Sequence, residues 1–192
     1  MEINAYQIPQ DNELYIQQNL ITDVSKNNSK DNFHIFASQS IAYTQMNGQN
    51  IFPTTTELGV ELNHYFQTSM FCTYTFQSFT IDDKAKEKIN DFWYCGNSLA
   101  IIPFASSVVH PKLKVYGGAG QAYGEDTSVK AKNKSIVLYF WALTPVVSAE
   151  VNITEDFKFN IGAGYQLIMS DSKKLNDTSG IEAIASISYN FK

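Results

Sequence analysis

Residues 181–191 alternate strictly enough to fix their conformation. Ile181, Ala183, Ala185, Ile187, Tyr189 and Phe191 fall on one parity, and Glu182, Ile184, Ser186, Ser188 and Asn190 on the other. A two-residue period belongs to a strand with one apolar and one mostly polar face. Its length suits a strand that crosses a bilayer, which takes roughly 9–11 residues. It also finishes on an aromatic, one residue before Lys192.

The same alternation recurs upstream. Residues 156–168 set Phe157, Phe159, Ile161, Ala163, Tyr165 and Leu167 against Lys158, Asn160, Gly162, Gly164 and Gln166. Residues 135–153 run from Val137, Tyr139, Trp141 and Leu143 to Val147, Ala149 and Val151, with Ser148, Glu150 and Asn152 opposite. Pro145 inside that run predicts a bulge, an edge or a break, so it reads as one bent strand or two short ones. Residues 111–124 place Lys112, Lys114 and Tyr116 opposite Leu113 and Val115. Residues 69–80, 54–66 and 33–45 follow the rule, while 90–103 alternates poorly. The total is eight strands, an all-β antiparallel up-and-down barrel. Glu13 to Val24 read as a short strand or a poor helix, and two further strands would bring the total to ten.

The links also alternate. Those near Gln67-Thr68 and Thr154-Glu155 are tight, and 104–110 is intermediate. The links at 45–53, 81–89, 125–134 and 169–180 are longer and polar. Short turns at one rim and long loops at the other are the habit of transmembrane barrels. The aromatics Phe33, Tyr43, Phe66, Tyr123, Phe157, Tyr189 and Phe191 lie near strand ends on the apolar parity, where interfacial girdles belong. Residues 1–32 break the pattern and read as an N-terminal periplasmic extension to a barrel over 33–192.

Composition agrees and excludes some functions. Charged residues make up 17% and aromatics 14%, against roughly 25% charged in a typical soluble domain. The net charge of -5 argues against nucleic acid as a partner. All basic side chains are Lys, which removes the best bidentate anion ligand. Met1 is followed by Glu2 and polar sequence rather than a basic and then apolar leader, so the chain reads as a mature form whose signal peptide has been removed.

The polar parity carries Glu57, Glu61, Lys114, Glu150, Lys158 and Glu182. An eight-stranded interior is just wide enough for side chains to fill. These six are therefore expected to plug the lumen as a charged and polar network, neutralised by pairing. A carboxylate cluster binding calcium or doing acid–base work is the sharper alternative for the same glutamates. His34, His64 and His110 have no metal-ligand spacing and read as surface or interfacial. His64 with Ser69, and His110 with Ser106 and Ser107, are the only local hydrolase pairs. Cys72 and Cys95 have no CxxC spacing and read as free thiols among apolar groups, with a disulfide the alternative in an oxidising compartment.

On the terminal strand and on residues 144–165, where strand, tight turn and Gly-aromatic strand succeed one another, the chain resembles small bacterial outer-membrane β-barrel proteins of the OmpA/OmpX type. The resemblance covers about residues 33–192. That family usually ends on an aromatic, whereas Lys192 follows Phe191 here. The resemblance implies an outer-membrane location and usually no enzymatic activity. The reading is a non-enzymatic membrane barrel with a structural or surface-interaction role. It would be monomeric, without cofactor or metal. It would contact membrane lipids and lipopolysaccharide, and its long loops could meet an extracellular protein partner. Two other functions fit the same residues: a lipid A-modifying outer-membrane enzyme, and a soluble barrel whose apolar parity faces a small ligand.

Overall fold

A computed structural model describes residues 33–82, 87–126 and 134–191. The expected N-terminal extension, residues 1–32, lies outside these, as does its candidate strand. Ten strands and one helical turn follow in order: β1 (Phe33–Met46), β2 (Gln49–Ile51), β3 (Thr54–Leu62), β4 (Phe66–Thr75), β5 (Phe79–Asp82), β6 (Glu87–Ile101), β7 (Val109–Asp126), β8 (Lys134–Asn152), β9 (Phe157–Ser170), α1 (Lys173–Asn176) and β10 (Gly180–Phe191). Eight of the strands form the wall in the order β1-β3-β4-β6-β7-β8-β9-β10, all antiparallel. β10 then pairs with β1, from Ile35 opposite Phe191 to Thr44 opposite Glu182. Closure leaves no wall strand with an open edge, the condition for β-structure in lipid.

The two strands beyond eight are β2 and β5, short additions to β1 and β6 at the long-loop rim. They do not come from residues 1–32. Asn47 and Gly48, both at positive φ (49° and 74°), turn the chain between β1 and β2, as the Asn-Gly pair favours in two-residue hairpins. At the other rim the β3–β4 turn is residues 63–65, not Gln67-Thr68. Asn63 and His64 there have positive φ, so His64 belongs to a turn and not to a strand face.

Pro145 neither breaks nor ends its strand. β8 is continuous, and Pro145 faces outward opposite Val115 of β7. The ladder to β9 resumes two positions on, skipping Thr144 and Pro145 between Leu143 and Val146. The missing N–H is spent on one side of one strand, which a wall held on both sides tolerates.

Inward and outward faces follow parity, except in β6, where a register shift between Ile89 and Asp91 leaves both Ile89 and Phe92 buried. The outward belt is apolar, with Leu58, Met70, Leu99, Trp141, Val147 and Ile181 all largely exposed. The girdle aromatics stand outward at the two rims, Phe157 against Tyr189 (5.3 Å) and Tyr189 against Phe191 (5.1 Å). The apolar parity thus faces outward, which removes the soluble ligand-binding barrel.

Cys72 and Cys95 are ladder partners joined by a disulfide. The expectation of free thiols is overturned. Their sequence spacing carried no sign of it, because the two residues meet only through the β4–β6 register.

Candidate functional site in the barrel lumen

The inward residues fall into two layers. Toward the short-turn rim lies a charged network. Its glutamates come from the rim half of β3 and β8, and its lysines from the matching ends of β7 and β9. Glu57 receives Lys114 Nζ on both oxygens (3.0 and 2.9 Å), Ser69 Oγ (2.9 Å), Ser98 Oγ (3.1 Å) and Tyr116 OH (3.2 Å). In the wall order β3 and β7 are three places apart, so this pair crosses the lumen. Lys114 also lies 5.1 Å from the centre of the Tyr116 ring, close enough for a cation–π contact.

Nearer the rim, Lys158 Nζ lies 2.6 Å from Glu61 and 3.7 Å from Glu150, bridging two carboxylates. Gln67 Nε2 donates to Glu61 (2.6 Å), and Lys112 Nζ donates to Glu150 (2.8 Å). His110 is 2% exposed, with Nε2 3.0 Å from Glu150 and Nδ1 2.9 Å from the Ser107 carbonyl. All three paired glutamates are buried, each with the lysine that faces it. Breaking one such pair strands a charge in a low dielectric, at a cost of about 3–5 kcal/mol.

Of the six residues expected in the network, five are joined in it: Glu57, Glu61, Lys114, Glu150 and Lys158. Glu182 is buried too, but among the described residues nothing donates a hydrogen bond or an ion pair to its carboxylate. Three carboxylates face three ammoniums, and Glu182 is the remainder. Sequence reasoning missed Lys112 and His110. Lys112 shares the parity of Lys114, which was a usable signal. His110, next to Pro111 at the end of the 104–110 link, reads from sequence as a surface or interfacial residue. β7 begins at Val109 and carries its ring inside.

The hydrolase pairs do not assemble. Ser69 Oγ is bonded to Glu57 and Ser98, not to His64, whose Nδ1 lies 3.0 Å from Glu61. Both ring nitrogens of His110 already have partners, neither of them a serine hydroxyl. Among the described residues no group of three or more His, Cys, Asp or Glu is arranged to hold a metal ion.

Toward the long-loop rim the lumen is apolar, which the sequence reading did not expect. Phe71, Phe92, Tyr94, Phe140, Ala142 and Ile168 fill it. Phe92 stacks on Phe140 with centroids 4.6 Å apart and planes at 12°, and Phe71 meets Tyr116 edge-on at 4.9 Å. Met46, Ile51, Phe79 and Leu175 of α1 continue the plug toward the loops. The glycines of β7 make room for the bulk: a methyl on Gly120 would collide with the Trp93 carbonyl and the Tyr94 side chain.

No family model matches the chain, and none of the curated protein sequences does. Solved structures do. The crystal structure of Neisserial surface protein A superposes with a TM-score of 0.61 at 14% identity, over 84% of this chain and 98% of that one. The N-terminal β-barrel domain of Pseudomonas aeruginosa OprF gives 0.53 at 9% identity, over 81% and 97%. The outer membrane protein OprG of the same organism gives 0.51 at 13% identity, over 84% and 97%. At these identities the likeness is one of fold. The chain has the fold of a small eight-stranded transmembrane β-barrel of the outer-membrane type.

Proposed function

We propose that this chain is a non-catalytic barrel of the bacterial outer membrane, a closed scaffold with a structural or surface-interaction role. Its short turns would face the periplasm and its long loops the exterior, as in barrels of this build. The observation that carries the reading is the filled lumen. Among the described residues a charged network occupies one half and an aromatic plug the other, and the cavity left beside Phe36, Lys112, Lys114 and Asn160 is only about 20 Å³, room for water and not for a substrate. What such a molecule offers its surroundings is its outside: an apolar belt for membrane lipids and lipopolysaccharide, and a long-loop rim for a protein partner. Loops on a rigid scaffold are where such contacts are usually built.

A lipid-modifying enzyme is the weaker reading, since neither histidine has a serine nucleophile within reach. The test is planar-bilayer recording with the purified, refolded barrel. No conductance steps are expected at any applied voltage. Regular unitary openings would replace the scaffold reading with a pore.

A further inference from the structure

The lipid-facing belt is not uniform. Phe66, Ile101, Leu113, Val147 and Ala163 are consecutive ladder partners across β4, β6, β7, β8 and β9. With the row above them they line a concavity of about 1020 Å³ on the outer face of the wall. Pro145 and Ala163, short side chains on the outward parity, line it together with the larger Phe66 and Tyr165. Leu99 and Val147 within it are 68% and 62% exposed, so no part of the described chain covers them.

The direction of the band identifies what fits it. Phe66 opens β4 directly above the short turn, whereas Ala163 is well inside β9, beyond Phe157, Phe159 and Ile161 of the same face. The band therefore climbs from the short-turn rim toward mid-height. Four strand-to-strand steps of about 4.8 Å make roughly 19 Å. In a wall whose strands tilt roughly 35–45°, the ladder direction climbs steeply, and those steps rise roughly 11–14 Å. That is about half of a hydrocarbon core roughly 30 Å thick, the depth of one leaflet. The lower end lies beside the exposed Tyr65 and Phe66 at the interface, where a headgroup would be.

We propose that this band is a binding groove for the acyl chains of one glycerophospholipid from the short-turn leaflet, held more tightly than the lipid around it. The short side chains of Pro145 and Ala163 beside the larger Phe66 and Tyr165 give the acyl chains a recess to lie in. The groove is continuous with the membrane belt, so lipid needs no separate route to it.

Native mass spectrometry tests this on the barrel reconstituted with equimolar dioleoyl phosphatidylethanolamine and lipid A, then exchanged into a mild detergent. The wild-type protein should retain one phosphatidylethanolamine. Val147→Trp fills the groove and should lower that retention about tenfold or more, the equivalent of one large side chain's apolar contact. Ile41→Trp, on β1 away from the groove, should retain lipid as the wild type does. Where Val147→Trp does not show the mobility shift of the folded form, Ala163→Leu takes its place as a smaller filling. Equal retention in all variants, no retained lipid, or preference for lipid A would overturn the proposal. A dimer lost on filling the groove would also overturn it, and would assign the face to a second copy of the chain.

Discussion

Cys72 and Cys95 face each other directly across the β4–β6 ladder, and their disulfide lies on the outward, membrane side of the wall. Thiol-blocking reagent should therefore add nothing to the native protein and two labels after unfolding and reduction. A water-soluble reductant should open the bond slowly in the folded, lipid-embedded barrel and rapidly once it is unfolded. The bond closes a loop with a sequence separation of 23, so Cys72→Ser with Cys95→Ser should cost about 2–4 kcal/mol in a urea titration followed by gel mobility. Labelling of the native protein would contradict the bond.

Among the described residues Lys114 is the ammonium that bonds Glu57, and it reaches both oxygens. Lys114→Met should destabilise the barrel by about 3–5 kcal/mol, because a buried carboxylate is left without its counter-charge. Glu57→Leu combined with Lys114→Met should recover most of that loss. Urea titrations of the two single variants and the double variant, taken as a cycle, check it. A fully additive double would show that the pair does not act as a unit.

Glu182 gives the opposite sign. Its carboxylate is buried and no described residue donates to it, so Glu182→Gln should leave stability unchanged or raise it by about 1 kcal/mol, since burying an unpaired carboxylate costs more than burying an amide. Glu57→Gln, measured the same way, should lower it. If both substitutions destabilise equally, Glu182 is held by the network after all.

Phe140→Ala should cost about 3–5 kcal/mol by opening a cavity where Phe92 now stacks. It should not create conductance, because the charged layer nearer the short-turn rim still closes the lumen. Bilayer recording of the variant beside the wild type separates the two layers. Openings in the variant alone would show that the aromatic plug is the sole barrier.

Much of this was legible in the sequence, and the failures share a cause. Where the lumen is charged, polar and apolar faces differ, and parity alone identified Glu57, Glu61, Lys114, Glu150 and Lys158. Where the lumen is aromatic, both faces are apolar. In β6, Phe92 and Tyr94 point in while Trp93 points out, and the register shifts between Ile89 and Asp91, so the stretch 90–103 shows little period. In the first half of β8, Phe140 and Ala142 face in and Tyr139, Trp141 and Leu143 face out. A two-residue period reports the contrast between faces, not the strand itself. Pairings between strands, such as Cys72 with Cys95 and His110 with Glu150, depend on register, which no local pattern carries. Glu182 shows the limit from the other side. Its parity is that of the inward face, where it is buried, but which carboxylates the three lysines reach is set by register and not by parity.

The seam between β1 and β10 joins positions as distant in sequence as Ile35 and Phe191. Every other wall contact can form between neighbours in the wall sequence, like a growing meander. This one waits until all the others exist. Until then the chain is an open sheet with two bare edges, greasy on its outside and unable to rest in water or in lipid. Its folding is therefore a race between one very non-local closure and association with any other exposed strand. The weak point of this protein's life is the interval before the circle is complete, when two strand edges are still without their partner.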